Sequence, residues 1–123
     1  MPEVPSEIFK AYDIRGVVGR SLTPDIVELI GRAVGAEAAA LGQHEIVVGR
    51  DGRLSSPEIA SAVIRGIRRA GIDVIDLGLV TTPMAYFAAY QLGAHCAVMV
   101  TGSHNPPDYN GLKIVLADEA LSG

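Results

Sequence analysis

Short apolar runs alternate regularly with longer amphipathic segments over residues 23–100, which leaves few folds open to this chain. Strands are predicted for the apolar runs Glu45–Gly49, Ile72–Leu77 and His95–Val100, and helices for the segments 23–42, 55–70 and 81–92. Strands joined by helices through short connections make right-handed crossovers, with the helices lying against the sheet. The order therefore predicts an α/β fold with a mixed, mainly parallel sheet and helices on both faces, in three α/β/α layers.

Each predicted helix begins with a start signal. Thr23 is a favourable N-cap, and the following Pro24 suits the first helical position. Ser55, with Glu58 three residues later, matches a capping box, in which the serine side chain binds the helix backbone. Thr81 opens the last helix in the same way as Thr23.

Two further strands are predicted outside this alternation. Residues 9–18 are typical of a strand or one arm of a hairpin, and Leu112–Leu116 is typical of a strand. Only eleven residues, Thr101 to Gly111, precede this last strand. Because so short a connection cannot hold a helical crossover, the last strand is predicted to run antiparallel to its neighbour.

Composition narrows the classes of function. Ten Lys and Arg against fourteen Asp and Glu give a net charge of −4, which argues against broad nucleic-acid binding. A hydrophobic content of 49% in 123 residues suffices for the buried core of one domain. The single cysteine, Cys96, excludes an intramolecular disulfide. No apolar run approaches the roughly 18 residues of a membrane span. We expect a soluble, cytoplasmic protein with neither nucleic acid nor membrane as partner.

The densest polar segment, Thr101 to Gly111, follows a predicted buried strand. Gly102 permits a sharp bend there, and Ser103, His104 and the downstream Lys113 are compatible with an activated serine in acyl or phosphoryl transfer. A simple chain reversal is the alternative, since Asn-Pro and Asn-Gly are turn dipeptides. The Gly-x-Ser-x-Gly elbow of acyl hydrolases is absent, because Asn105 stands two residues after the serine.

Three segments of the chain resemble motifs of the α-D-phosphohexomutases. Thr-Gly-Ser-His-Asn-Pro at 101–106, followed by Tyr-Asn-Gly-Leu-Lys-Ile at 109–114, is similar to their phosphoserine loop. Phe-Lys-Ala-Tyr-Asp-Ile-Arg-Gly at 9–16 resembles the N-terminal signature of the phosphomannomutase/phosphoglucomutase branch. Val-Gly-Arg-Asp-Gly-Arg at 48–53, with Ser55 and Ser56, is similar to a further N-terminal motif, and the three follow the family's order.

The resemblance implies a mutase that interconverts hexose 1-phosphate and hexose 6-phosphate through a bisphosphorylated sugar. Ser103 would carry the transferred phosphoryl group, its phosphate would be a ligand of Mg²⁺, and hexose 1,6-bisphosphate would be the activator. Lys113 would bind substrate and move the proton of the attacked hydroxyl, helped by His104, whose alternative is a turn-stabilising role. Arg15 would hold negative charge near the phosphoserine, and Tyr12 would line the sugar site.

Each of these roles has a plainer alternative. Lys113 could be an ordinary strand lysine at the solvent face, and Tyr12 could pack against the core with its hydroxyl in water. Arg15 could form a surface ion pair with Asp13 or Asp51.

The loop after the strand 45–49 contains Arg50, Asp51 and Arg53, which could either bind phosphate or brace the serine loop. Bracing is favoured, because Asp51 can neutralise one arginine and hold it in place. Arg50, Asp51 and Asn105 are therefore predicted to support the serine loop from behind.

Family members have four domains, and residues 1–123 resemble the first, without its last elements. The clustered aspartates of the family's metal loop are missing, so the Mg²⁺ site would be incomplete and the isolated chain inactive. The expected partners are the hexose phosphate and the missing domains of the same polypeptide. A non-catalytic phosphate-binding module, a Ser-Lys hydrolase and a phosphoglucosamine mutase are alternatives, and the choice between mannose and glucose stays open.

Overall fold

The computed structural model describes residues 9–103 and 105–117, which form five strands and three helices. The elements follow the order β1 (Phe9–Val17), α1 (Pro24–Ala40), β2 (Glu45–Arg50), α2 (Ser56–Arg69), β3 (Asp73–Leu79), α3 (Thr82–Leu92), β4 (Ala97–Val100) and β5 (Tyr109–Ala117). Each helix and strand predicted from the sequence is present, and the predicted ends agree with the observed ones to within a few residues.

The five strands lie in the order β1-β5-β4-β2-β3. β2 pairs in parallel with both β3 and β4, whereas β5 runs antiparallel to its two neighbours, β1 and β4. β1 therefore points in the same direction as β2 and β4, and the carboxyl ends of these three strands share one edge of the sheet. The prediction of a mainly parallel sheet with one antiparallel strand after the serine loop is confirmed.

Helices cover both faces of the sheet, as predicted. On one face, α1 and α2 pack over the larger core, to which the sheet contributes residues such as Ile46, Val48 and Val98. On the other face, α3 contributes Ala89 to a smaller cluster with Val47 and other residues of the sheet. Alternate residues of β2 thus enter opposite cores, as the period of two in a strand requires.

α1 and α2 cross with their backbones in close contact, because a glycine lies on each helix at the crossing. A Cβ atom added to Gly66 would overlap the carbonyl oxygen of Glu28 and lie 2.7 Å from the amide nitrogen of Arg32. One added to Gly31 would overlap the carbonyl oxygen of Val63. The close approach fixes α2, whose first turn lies beside the serine loop.

All three helices begin within one residue of the predicted start, and two of the three predicted side-chain caps are confirmed. The side chains of Thr23 and Thr81 accept hydrogen bonds from the N–H groups of Ile26 and Met84, each at 3.3 Å. The capping box at Ser55 is wrong, because this residue has helical dihedral angles and its side chain makes no capping bond. Its hydroxyl instead accepts a hydrogen bond from the side-chain amide of Asn110.

Among the described residues, no helix is both long enough and apolar enough to cross a membrane. Cys96 is buried just before β4, and its burial raises the pKa of the thiol. The cytoplasmic location stays a prediction.

Candidate active site

β4 delivers the serine loop, residues 101–108, to the edge of the sheet where β1, β2 and β4 end. All four residues of β4 are buried, and the N–H of Thr101 extends the ladder by donating to the carbonyl of Gly111 at 3.0 Å. The chain then leaves the sheet, so that Ser103 is exposed. In open α/β sheets ligands bind outside this edge.

The unusual backbone conformation of the serine loop lies at Ser103 itself. Its φ angle of 51° is in the left-handed region, which non-glycine residues seldom adopt. The N–H of Ser103 donates to the side-chain oxygen of Thr101 at 3.1 Å, which closes a local turn. The sequence predicted the bend at Gly102, whereas the structure places the positive φ one residue later. Such a conformation persists only where its surroundings hold it in place.

The carboxylate of Asp51 is one of the groups that hold the serine loop in this conformation. It accepts the backbone N–H of Gly102 at 3.0 Å and that of Arg53 at 3.1 Å, together with the hydroxyl of Ser56. Partial burial acts to raise the pKa of Asp51, but the donated hydrogen bonds outweigh it and hold the pKa below the ordinary value of 3.8. Asp51 is therefore an ionised acceptor that joins α2 to the serine loop.

Arg53 makes more contacts with the loop than any other side chain described here. Its two terminal nitrogens donate to four backbone carbonyls, those of Ser103 at 3.0 Å, Asn105 at 2.7 Å, Pro106 at 2.8 Å and Tyr109 at 3.2 Å. Its Nε lies 3.7 Å from a carboxylate oxygen of Asp51. The sequence indicated that this segment braces the loop, but it did not single out Arg53 as the residue that reaches so many carbonyls.

Asn110 extends the network into the interior and was missed by the sequence analysis. This fully buried side chain donates to the hydroxyls of Ser55 at 2.9 Å and Ser56 at 3.0 Å, while its own oxygen accepts the N–H of Gly111 at 2.8 Å. An asparagine before glycine normally signals an exposed turn, so this position gave no hint of burial.

The other two predicted supporting residues behave differently from each other. Both the backbone and the side-chain N–H groups of Asn105 donate to the carbonyl of Gly102 at 3.0 Å, closing a turn around Ser103. Within residues 9–103 and 105–117, the side chain of Arg50 makes no hydrogen bond or ion pair. Only Asp51 and Asn105 of the predicted set thus contact the loop through their side chains.

Arg15, Asp13 and Lys113 lie on the α3 face of the sheet, near the same edge. Asp13 is opposite Lys113 in the β1–β5 ladder, and Arg15 forms an ion pair with Asp13 at 3.0 Å. The hydrogen bond from Arg15 lowers the pKa of Asp13, and the charge of Lys113 adds a smaller effect of the same sign. The plain alternative for Arg15, a surface ion pair with Asp13, is therefore present. Arg15 and Lys113 lie on the same face of the sheet, at diagonal positions of the ladder.

Tyr12 lies on the opposite face from Arg15 and Lys113. With Ile14, it lines an apolar cavity of about 300 Å³ between the sheet and α1, and 46% of its surface is exposed. Neighbouring positions along a strand point to opposite faces, so Tyr12 and Arg15, three positions apart, cannot share one. The structure therefore does not bring Tyr12 together with the other predicted substrate-binding residues. His104 lies outside the described residues.

The described residues do not fit a complete Mg²⁺ site. They contain no group of three or more His, Cys, Asp or Glu side chains that could hold a metal ion. The carboxylate of Asp51, which contacts the serine loop, already accepts hydrogen bonds from N–H and O–H donors, which a coordinated cation would displace. Mg²⁺ requires a near-octahedral set of oxygen ligands.

Comparison with known proteins agrees with this geometry. Residues 6–121 match the model of the family described as phosphoglucomutase/phosphomannomutase, alpha/beta/alpha domain I. The chain is 53% identical over 123 residues to a phosphoglucomutase of Neisseria gonorrhoeae, covering 100% of this chain and 27% of that protein. It is 54% identical over 121 residues to a phosphomannomutase/phosphoglucomutase of Pseudomonas aeruginosa, covering 98% of this chain and 26% of that protein.

A solved structure gives the same result. The crystal structure of a phosphoglucomutase/phosphomannomutase family protein from Burkholderia thailandensis matches with a TM-score of 0.80 and 52% identity, covering 93% of this chain and 27% of that chain. The chain thus spans about a quarter of the length of these relatives. It belongs to the phosphoglucomutase/phosphomannomutase family, in which it corresponds to the α/β/α domain I.

Proposed function

We propose that this chain is the phosphoserine-bearing domain of a phosphohexomutase, whose parent protein interconverts hexose 1-phosphate and hexose 6-phosphate. The observation that carries the proposal is the exposed Ser103, held in a left-handed conformation at the carboxyl edge of the sheet. Family membership and the names of the relatives, phosphoglucomutase and phosphomannomutase, support the same reaction.

In the proposed reaction, Ser103 carries the phosphoryl group between two half-reactions. A hydroxyl oxygen of the bound hexose phosphate attacks the phosphorus of the phosphoserine, the bond to Oγ breaks, and the proton of the attacking hydroxyl passes to Oγ. The product is a hexose bisphosphate and free serine. After the sugar reverses in the site, Oγ attacks its other phosphate and the steps run backwards. Such transfer depends on alignment and on stabilisation of charge.

Lys113 and Arg15 would supply the positive charge. A phosphoserine adds about −1.5 to −2 charges at pH 7. Lys113 is opposite Met99 in the ladder, two residues before the Thr101–Gly111 pair. At about 3.4 Å per residue, Lys113 lies roughly 7 Å along the sheet from the point where the chain turns toward Ser103. We assign Lys113 the movement of the hydroxyl proton and the binding of substrate, with His104 as its helper.

Arg15 is suited to holding phosphate because its present partner is held weakly. The Arg15–Asp13 pair is about half exposed on both sides, and exposed ion pairs contribute little free energy, so an incoming phosphate can compete for the guanidinium. The role of Tyr12 in the sugar site remains a prediction.

The remaining machinery would come from outside this chain. We propose that the other Mg²⁺ ligands, the sugar-specificity residues and the distal-phosphate site lie in the three quarters of the polypeptide that the relatives have in addition. A phosphate on Ser103 would supply one ligand oxygen. Hexose 1,6-bisphosphate would act as the activator that phosphorylates the serine.

The full-length protein provides the test. We expect mass spectrometry after incubation with glucose 1,6-bisphosphate to find one phosphate on Ser103, and Ser103→Ala to lose both the phosphate and the turnover. Ser61→Ala, at an exposed position on α2, is the matched control and should change neither. Kinetics with the 1-phosphates of glucose, mannose and glucosamine would identify the sugar. Phosphate binding without covalent modification would instead support a non-catalytic module, and reaction of Ser103 with a fluorophosphonate would support a hydrolase.

A further inference from the structure

We propose that Arg53 is a positioning residue, whose guanidinium sets the conformation of the serine loop and does not bind phosphate. The inference rests on the proposed function, since the conformation matters for phosphoryl transfer. It assigns a defined task to one arginine of a Gly-Arg-Asp-Gly-Arg segment in which either arginine could be taken for a phosphate ligand.

Both terminal nitrogens of Arg53 are engaged in hydrogen bonds. A guanidinium has five N–H donors, four of them on its terminal nitrogens. The two terminal nitrogens of Arg53 each bond two backbone carbonyls of residues 103–109, and Nε faces the carboxylate of Asp51. Only 20% of the side chain is exposed. A phosphate would therefore have to displace the loop in order to bind Arg53.

Gly102 leaves the space that the guanidinium occupies. A Cβ atom added there would overlap Nε and Cζ of Arg53 and lie 2.7 Å from its Cδ. Gly102 does not have a positive φ angle, so the sign of φ does not require glycine at this position. The requirement is steric, and Arg53 causes it.

The consequence reaches the reactive residue through its main chain. The carbonyl of Ser103 accepts from Arg53 at 3.0 Å while its N–H is held by Thr101, so both peptide groups flanking its Cα are fixed. These two bonds hold the left-handed φ of 51° that directs the side chain. Without Arg53, Ser103 is free to return to a common conformation with Oγ pointing elsewhere.

The first experiment separates positioning from phosphate binding. In the full-length protein, we expect Arg53→Ala and Arg53→Lys to lower kcat by about 100-fold, the size of effect that a misplacement of roughly 1 Å can produce. Lysine offers three donors at one point and cannot bridge four carbonyls. KM for the hexose phosphate should change by less than about threefold. In this proposal Arg53 does not contact the substrate, so its removal leaves the binding of the substrate in the ground state unchanged. Millimolar guanidinium should restore part of kcat to Arg53→Ala, and Arg68→Ala, on the exposed face of α2, is the control.

The second experiment uses the overlap with Gly102. Gly102→Ala alone should lower kcat about as much as Arg53→Ala, because the new methyl group expels the guanidinium. In the Arg53→Ala background the space is empty, so adding Gly102→Ala should lower kcat by no more than about twofold further, a strong departure from additivity. If the fold-changes in kcat of the two single substitutions multiply in the double variant, the proposal is contradicted.

Other outcomes also distinguish a positioning role of Arg53 from phosphate binding. A rise in KM with kcat preserved would make Arg53 a phosphate ligand and overturn the inference, as would unchanged kinetics. Hydrogen exchange gives a readout independent of turnover, since the N–H groups of Asn105 and Tyr109 are bonded within the loop and should exchange faster in Arg53→Ala. If the wild-type protein shows no mutase activity while this exchange still rises, the proposed function fails and the control of the loop by Arg53 stands. Unchanged exchange would contradict the latter.

Discussion

The carboxylate of Asp51 accepts the backbone N–H of Gly102 at 3.0 Å, so the loop after β2 is bonded directly to the residue before Ser103. The same carboxylate accepts the hydroxyl of Ser56 in the first turn of α2. The position of Ser103 therefore depends on one ionised group, which also binds the first turn of α2. Protonation of this carboxylate should be measurable as a change in the stability of the fold.

Asp51→Asn should destabilise the chain near neutral pH by about 1–3 kcal/mol, because the donors around the carboxylate lose a charged acceptor. The folded state holds the pKa of Asp51 below 3.8, so ionised Asp51 stabilises the fold above that pH. The stabilisation is lost as pH falls below 3.8, through the lowered pKa of the folded state. Urea unfolding at pH 7 and pH 3 should show the difference between wild type and variant shrinking at the lower pH. An equal difference at both values would contradict this linkage.

Gly66→Ala should destabilise the fold by about 2–3 kcal/mol, as overpacking of a close contact does. The new methyl group would overlap the carbonyl oxygen of Glu28, a backbone atom that cannot move without separating the two helices. The midpoint and slope of denaturant unfolding would measure the change. Ser61→Ala, exposed on the same helix, should be neutral or slightly stabilising. A Gly66→Ala variant as stable as this control would show that the helices can separate at little cost.

The 123-residue chain by itself should self-associate. Three large side chains of α3 are exposed, Met84 at 55%, Phe87 at 62% and Tyr90 at 76%, and an apolar patch of this kind marks an interaction surface. Light scattering should show species larger than a monomer, which Phe87→Ser combined with Tyr90→Ser should reduce. Leu29→Ser removes an equally exposed apolar residue from α1 and should have no such effect. A monodisperse wild-type monomer would oppose the prediction.

The chain alone should also show no mutase turnover. Its described residues contain no cluster of carboxylates for a metal ion, and it spans about a quarter of its relatives. A coupled assay with glucose 1-phosphate and glucose 1,6-bisphosphate should register product only with the full-length protein. Rates near those of the full-length protein would mean that the missing regions are dispensable for chemistry.

Local patterns predicted most of the fold. The period of the apolar residues and the threonine caps at 23 and 81 identify helices that the structure contains, because helix starts are decided by a few neighbouring residues. The same reasoning failed at Ser55, because the side-chain amide of Asn110, 55 residues away, donates a hydrogen bond to its hydroxyl. A local rule cannot anticipate a distant competitor.

The site was predictable in part. The segment around Ser103 was identified by its motif and by its place at the end of a strand. The separation of Tyr12 from Arg15 follows from strand periodicity alone, because positions three apart on a strand point to opposite faces. The hydrogen bonds of Arg53 end on main-chain carbonyls of the loop. A pattern of side chains in the sequence does not give the positions of these atoms.

The placement of β5 between β1 and β4 has a consequence for synthesis on the ribosome. In the described sheet β1 pairs with β5 alone, from Phe9 with Ala117 to Val17 with Tyr109. During translation β1 therefore has no partner strand in this sheet until the residues from position 109 onward have been synthesised. A nascent chain halted before position 109 lacks β5, so β1 and β4 both keep unpaired backbone groups at a strand edge.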